Sequence, residues 1–256
     1  MSAAAENVDG LWFNPAVNAK LTTWQVVTSH ALLYPGLNDA PTLHSTGVNY
    51  PVPSGPLMGW TWQVAMSFLN ARHWEEQIAL LGCSRQVHPR LATGVALQTN
   101  AWKTVGLSHR VWDLNLGGLY EVGWIHPEVY LRLSGVVGNL HRANLSSSGK
   151  KAGLSDRVLT LGANIEVQET FIYLDWGYSS GRGEMRVGMD SGVGPTGGLR
   201  LRLGAVALSS PREGKEIDVG LGHQYGPWRY DYSFTYPVEV TGLGGIHRFS
   251  LVYEAK

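Results

Sequence analysis

Between Trp228 and Val238 the chain alternates strictly. Trp228, Tyr230, Tyr232, Phe234, Tyr236 and Val238 fall on one side, with Arg229, Asp231, Ser233, Thr235 and Pro237 on the other. A period of two predicts a strand, because successive side chains leave a pleated backbone on opposite faces. The pattern recurs along most of the chain. Over residues 57–69, Met58, Trp60, Trp62, Val64, Met66 and Phe68 oppose Gly59, Thr61, Gln63, Ala65 and Ser67. Leu91, Val95 and Leu97 oppose Ala92, Gly94, Ala96 and Gln98, and Leu159, Leu161, Ala163 and Ile165 oppose Thr160, Asn164 and Glu166. Ile172, Leu174, Trp176 and Tyr178 face away from Asp175, and Leu199, Leu201 and Leu203 away from Arg200 and Arg202. With weaker segments near 24–34, 43–52 and 76–87, the pattern predicts about fourteen strands, an even number as bacterial barrels require. No helical period of useful length is present.

The connections sort into two kinds. Pro53–Pro56, His88–Pro89, His126–Pro127, Gln168–Glu169, Gly192–Thr196 and Gly226–Pro227 read as short turns. Those between them, Pro35–Pro41, Asn100–Arg110, Arg142–Asp156 and Ser209–Lys215, read as longer loops. Short turns at one end and longer loops at the other is the asymmetry of outer-membrane barrels, whereas Greek-key sandwiches mix the two. The expected fold is therefore an all-β, transmembrane, antiparallel up-and-down β-barrel. Residues 21–256 form its wall. Residues 1–20, which do not alternate, form a short N-terminal segment.

In such a barrel the aromatic face meets lipid and the charged face lines the lumen. Trp60, Trp62, Trp176, Tyr230, Tyr232 and Phe234 are then expected to face lipid. Glu166, Asp175, Arg186, Asp190, Arg200, Arg202, Asp218, Arg229 and Asp231 are expected inside, as a ladder of opposite signs on neighbouring strands. The same charges turned to lipid would cost roughly 2–4 kcal/mol for each midplane Arg or Lys. Two uses of such a ladder stay open: structural filling, or a pore or substrate track.

Composition agrees with this inversion. Only 16% of residues are charged, against roughly 25% in soluble domains. The 10 Trp and 11 Tyr outnumber the 5 Phe, which favours amphipathic rings at membrane interfaces. Lys plus Arg (20) equal Asp plus Glu (20), which argues against a nucleic-acid surface. The one cysteine, Cys83, excludes an intrachain disulfide. The expected location is a bacterial outer membrane. Because Met1–Glu6 lacks the regions of a signal peptide, such a leader is taken to have been removed.

The residues also resemble a known family, the FadL-like outer-membrane barrels, which include the fatty-acid transporter and shorter PorV-type proteins of type IX secretion. Asn14, Pro15 and Ala16 match an Asn-Pro-Ala motif ahead of that family's first strand. Asp113–Tyr120 with Leu131–Leu140 is similar to its mid-barrel strand pair. Leu199–Gly204, Leu221–Gly222 and Gly245–Tyr253 follow its C-terminal order. The resemblance implies that the segment around Asn14, Pro15 and Ala16 is a luminal plug, and that a small hydrophobic molecule passes through. This chain lacks the long insertions of the fatty-acid transporters, which favours a small FadL-like or PorV-like barrel.

No catalytic constellation, cofactor motif or metal-ligand spacing is found among the nine histidines and their neighbours. Ser146–Ser148 and His141 share a loop with no acid to orient the histidine. Expected partners are outer-membrane lipid, a hydrophobic small molecule, or a protein within an outer-membrane complex, where the chain would act as a scaffold or shuttle. A soluble β-barrel binding protein is the further alternative.

Overall fold

The computed structural model describes residues 8–143, 155–193, 198–208, 215–238 and 242–255. Fourteen antiparallel strands close on themselves, each paired with its sequence neighbours, and β1 pairs with β14. The strands are β1 (Gln25–Leu33), β2 (Thr42–Pro51), β3 (Trp60–Ala71), β4 (Trp74–His88), β5 (Leu91–Thr104), β6 (Leu107–His126) and β7 (Val129–Gly138). The second half comprises β8 (Val158–Val167), β9 (Thr170–Ser179), β10 (Arg182–Val193), β11 (Leu199–Leu208), β12 (Glu216–Tyr225), β13 (Trp228–Pro237) and β14 (Ile246–Glu254). The expected all-β up-and-down barrel is the observed one.

Closure satisfies the backbone of every strand without leaving an edge. Among the described residues, register shifts occur only at Gln86/His88 between β4 and β5, and at Glu121/Gly123 and Trp124/His126 between β6 and β7. All lie at the end bearing the β4–β5 and β6–β7 turns. The pairings of β3 with β2 and β4 are unbroken, so the wall has no gap there.

Three expectations from the pattern shift in detail. Asn100–Arg110 is not a long loop: β5 and β6 run to Thr104 and from Leu107, joined by Val105 and Gly106. Its polar residues conceal the alternation, and Gly106 at φ +74° supplies the left-handed residue that a tight hairpin needs. The β2–β3 connection is longer than Pro53–Pro56, because β3 begins at Trp60 and Met58 lies in the turn. Turns at Arg72–His73 and Ser180–Gly181 are also short, so only some connections at that end are long. The ranges 144–154, 194–197 and 209–214, which contain Ser146–Ser148 and most of three predicted connections, lie outside the described residues.

β1 starts and β14 finishes at the end of the β2–β3, β4–β5 and β6–β7 connections, so the termini of the barrel wall lie there. Gln25 pairs with Glu254, and the Ala255 amide donates to the Trp24 carbonyl at 3.0 Å. At the opposite end the stem of the β7–β8 connection is fastened to β6. Buried Asp113 accepts hydrogen bonds from the amides of His141 (2.8 Å) and Ala143 (3.2 Å) and from the Ser155 hydroxyl (3.0 Å).

The two faces of the wall differ sharply. Outward side chains include Val64, Met66, Leu97, Leu161, Leu203 and Val219, all exposed. Toward the end that carries the termini, Tyr50, Trp62, Tyr225 and Tyr230 stand out. Toward the other end, Trp112, Trp176, Tyr178 and Tyr236 do so. An apolar girth between two aromatic belts is an outer face built for hydrocarbon rather than water. Strands such as β1, β2, β8 and β13 have 9–10 residues, the length that a tilted strand needs to cross a bilayer core.

Candidate functional site: the N-terminal segment and the inner wall

Residues 8–20 turn into the barrel as two short 3-10 helices, Val8–Trp12 and Val17–Lys20. Asn14 sets the bend between them. Its Oδ1 accepts the Ala16 amide at 2.9 Å, an Asx-type turn that Pro15 completes by fixing φ. Asn14, Pro15, Ala16 and Asn18 are wholly buried.

The inner wall is shaped to receive this bend. A Cβ at Gly94 of β5 would overlap the Pro15 carbonyl, and one at Gly117 of β6 would overlap the Asn14 side-chain amide. Glycine leaves space for the segment's backbone at Gly94, and for the Asn14 and Pro15 side chains at Gly117. Around them the inward residues stay small: Ala65, Ala92 and Ala96 are buried. Ala65 and Ala96 pack with Leu11 and Leu80, and Ala92 with Ala16, Ala19 and Leu119.

Polar bonds hold the bend against those walls. Asn14 Nδ2 donates to the Gly118 carbonyl at 3.2 Å. Gln63 Nε2 donates to the Pro15 carbonyl at 2.9 Å and the Ser84 hydroxyl at 2.8 Å, while its Oε1 accepts Asn18 Nδ2 at 3.4 Å. Pro15 O can only accept, so the Gln63 amide has one orientation. Lys20 Nζ meets Glu121 Oε2 at 2.5 Å, and Arg132 continues this chain to Glu121 at 3.9 Å and Glu166 at 3.5 Å. Beside Gln63, Gln25 and Asn49 are paired across β1 and β2. Asn49 Oδ1 and Nδ2, Gln25 Oε1 and Asn18 Oδ1 are buried without a protein hydrogen bond. The seat is therefore rich in amides whose bonding the protein leaves incomplete.

A substitution tests how far Gln63 holds the segment. Gln63→Leu leaves the Pro15 carbonyl and the Asn18 amide without their partner, at about 1–3 kcal/mol for each group. Residues 8–20 are expected to exchange amide hydrogens faster by ten-fold or more, with strand protection unchanged, read by hydrogen exchange with mass spectrometry.

The nine charged residues singled out in the sequence all project from the inner face. Arg200 Nε meets Asp190 at 2.7 Å. Arg202 bridges Asp190 at 3.0 Å and Asp231 at 2.6 Å, and Arg229 meets Asp231 at 2.9 Å. These five form one network across β10, β11 and β13. Glu166 pairs with Arg132, Arg186 with Glu184, and Asp218 accepts from the Thr235 hydroxyl. Asp175 is buried opposite Arg186 in the β9–β10 register. Among the aromatic positions, Trp62, Trp176 and Tyr230 are exposed on the outer face. Trp60 lies half-buried under Arg85 (5.7 Å). Tyr232 bonds His247 Nδ1 at 2.9 Å, and Phe234 packs against the same ring.

Between the segment and the far wall is a cavity of about 310 Å³. Leu11, Trp12 and Phe13 line one side, with Val136, Val158, Thr160, Gln98, Asn115 and Arg186 on the other. Among the described residues, no three His, Cys, Asp or Glu side chains gather as a metal-binding group. The sequence reading missed Gln63, Asn18, Gly94 and Gly117 as parts of this site. The signal available was the run of small inward residues, Ala92, Gly94 and Ala96.

A closed barrel of fourteen antiparallel strands, apolar outside and charged within, has the architecture of the FadL-type channels. The Pseudomonas putida toluene transporter TodX superposes with a TM-score of 0.68 at 10% identity, over 99% of this chain and 94% of that one. A Pseudomonas aeruginosa FadL homologue gives 0.61 at 10% identity, covering 99% and 95%. The CymD monoaromatic hydrocarbon channel gives 0.60 at 10% identity, covering 99% and 93%. At this identity the likeness is one of fold. No family model and no curated protein matches the sequence.

Proposed function

We propose that this chain is a small FadL-type barrel of the bacterial outer membrane that passes a small hydrophobic molecule through its lumen, with residues 8–20 as the plug. The observation that carries the reading is the cavity of about 310 Å³ walled by Leu11, Trp12 and Phe13 of the segment itself. Ligand pockets begin near this size and pair an apolar lining with a few polar groups, here Gln98, Asn115 and Thr160 opposite the three apolar side chains. Two of the described barrels of the same fold are a toluene transporter and a monoaromatic hydrocarbon channel, which supports a substrate of one or two rings. Because the wall is unbroken around β3, the route runs along the barrel axis, past the segment, toward the end that carries the termini. The incompletely bonded amides of the seat favour release, since water satisfies them once the segment moves.

Uptake of a ring hydrocarbon by cells producing the protein tests this. We expect a several-fold gain over cells lacking it, and return to background with Thr160→Trp, which fills the cavity. The folded barrel's heat-modifiable gel migration should not change. Uptake equal in wild type and Thr160→Trp would remove the cavity from the route.

One observation supports a second reading, a scaffold that docks a protein. β4, β5 and β6 have 15, 14 and 20 residues, more than a crossing needs. Their outer face at the end away from the termini carries a groove lined by Glu75, Gln77, Lys103, Ser108 and Arg110. Co-extraction of a stoichiometric partner in mild detergent would favour this role.

A further inference from the structure

The lumen is divided unequally. Residues 8–20 pack on the inner face of β1–β6, and there the wall is dry: Gln63 and Ser84 are 0% exposed. Across the barrel the inward side chains stay wet. Arg186 is 39% exposed, Arg202 31% and Arg200 25%, although each projects from the inner face of a closed sheet. Arg248, inward on β14 opposite Ser233, is exposed as well. An ionised side chain removed from water is heavily penalised even when paired. This much exposure on an inner face therefore means that the far half of the lumen is hydrated.

We propose that a standing water lane runs along the inner face of β10–β14 and conducts small inorganic ions while residues 8–20 remain seated. This activity differs from hydrocarbon passage in what it carries: the two routes share Arg186 beside the cavity, and the lane continues from there along β10–β14, which residues 8–20 do not cover. The lane carries both signs along its height. Near the end away from the termini, Glu184, Glu216 and Asp218 project inward with Arg186. Toward the other end, Arg200, Arg202 and Arg229 hold Asp190 and Asp231. A cation and an anion each meet counter-charges, and the wall charges are largely paired with one another. An ion therefore passes hydrated, with no isolated opposite charge to trap it, and selectivity between potassium and chloride is weak.

The experiment combines current and chemical access. Purified protein in a planar bilayer bathed in potassium chloride should carry a steady current above the bare membrane, with nearly equal cation and anion permeability. In a Cys83→Ser background, Ser233→Cys in the lane and Ser84→Cys in the seat are then exposed to a small charged methanethiosulfonate. The lane cysteine should react at least ten-fold faster, and its modification should reduce the current by half or more. No current, equal reaction at both positions, or modification at 233 without change in current would each overturn the lane. None of these outcomes decides hydrocarbon uptake, which is read separately in cells with Thr160→Trp.

Discussion

Gly94→Val is expected to unseat residues 8–20 while the barrel stays folded. Any Cβ at this position runs into the Pro15 carbonyl and stands 2.7 Å from the Ala16 amide nitrogen. These are backbone atoms, so no rotamer change relieves the overlap. Either β5 bends or the segment leaves. β5 is paired along its length with β4 and β6, and valine suits a strand, so the segment yields. Leaving together are the Gln63–Pro15, Asn14–Gly118 and Lys20–Glu121 contacts, each worth about 1 kcal/mol as an ordinary hydrogen bond and more when charged. Proteolysis within residues 8–20 should rise ten-fold or more, and bilayer current should increase by a similar factor. Gly118→Val is the matched control. Gly118 neighbours Gly117 in sequence but faces outward, where a Cβ meets nothing within 4 Å. It should leave protease resistance and current unchanged. A protected segment in Gly94→Val would mean that the seat is softer than its packing implies.

Leu203→Arg should weaken the barrel by about 2–4 kcal/mol, the cost of an arginine facing hydrocarbon near mid-bilayer. Leu203 sits mid-strand on the outer face, between Leu201 and Ala205, while Arg202 beside it is ion-paired inside. Guanidinium chemistry is thus accommodated at 202 and excluded one residue later, because a step along a strand changes sides. Denaturant unfolding in lipid vesicles reads the difference. A change within about 0.5 kcal/mol, the usual size for a water-exposed surface position, would show the outer face to be wet and remove the membrane from the proposed function.

The wall was legible because its chemistry is periodic. From Trp228 to Val238 each residue declares its side, and the opposed charges of β10 and β11 meet across adjacent strands, while Arg202 of β11 reaches over β12 to Asp231 of β13. What could not be read lies where periodicity is weak or contacts are distant. The β5–β6 hairpin at Val105–Gly106 is hidden because Lys103, Ser108, His109 and Arg110 extend past the apolar girth, where both faces are polar. Residues 8–20 do not alternate, and their 3-10 turns are too short to leave a helical period. The seat depends on Gln63 meeting Pro15 across 48 positions of sequence, and a neutral amide on a polar face looks the same whether it grips a segment or meets water. Gly94 and Gly117 carried more information. Small residues recurring inward mark where the backbone of another part of the chain must come close.

The seam between β1 and β14 sets an order on assembly. Gln25 must find Glu254, a ring closure between residues almost a whole chain apart, and loop entropy makes such distant pairings slow. Residues 8–20 lie inside that ring and immediately precede its first strand. Until the last strand arrives there is no enclosed interior for them to occupy. The bend at Asn14 and Pro15 must therefore be cradled against a half-built sheet as the final hairpin swings in, or thread back through a finished ring.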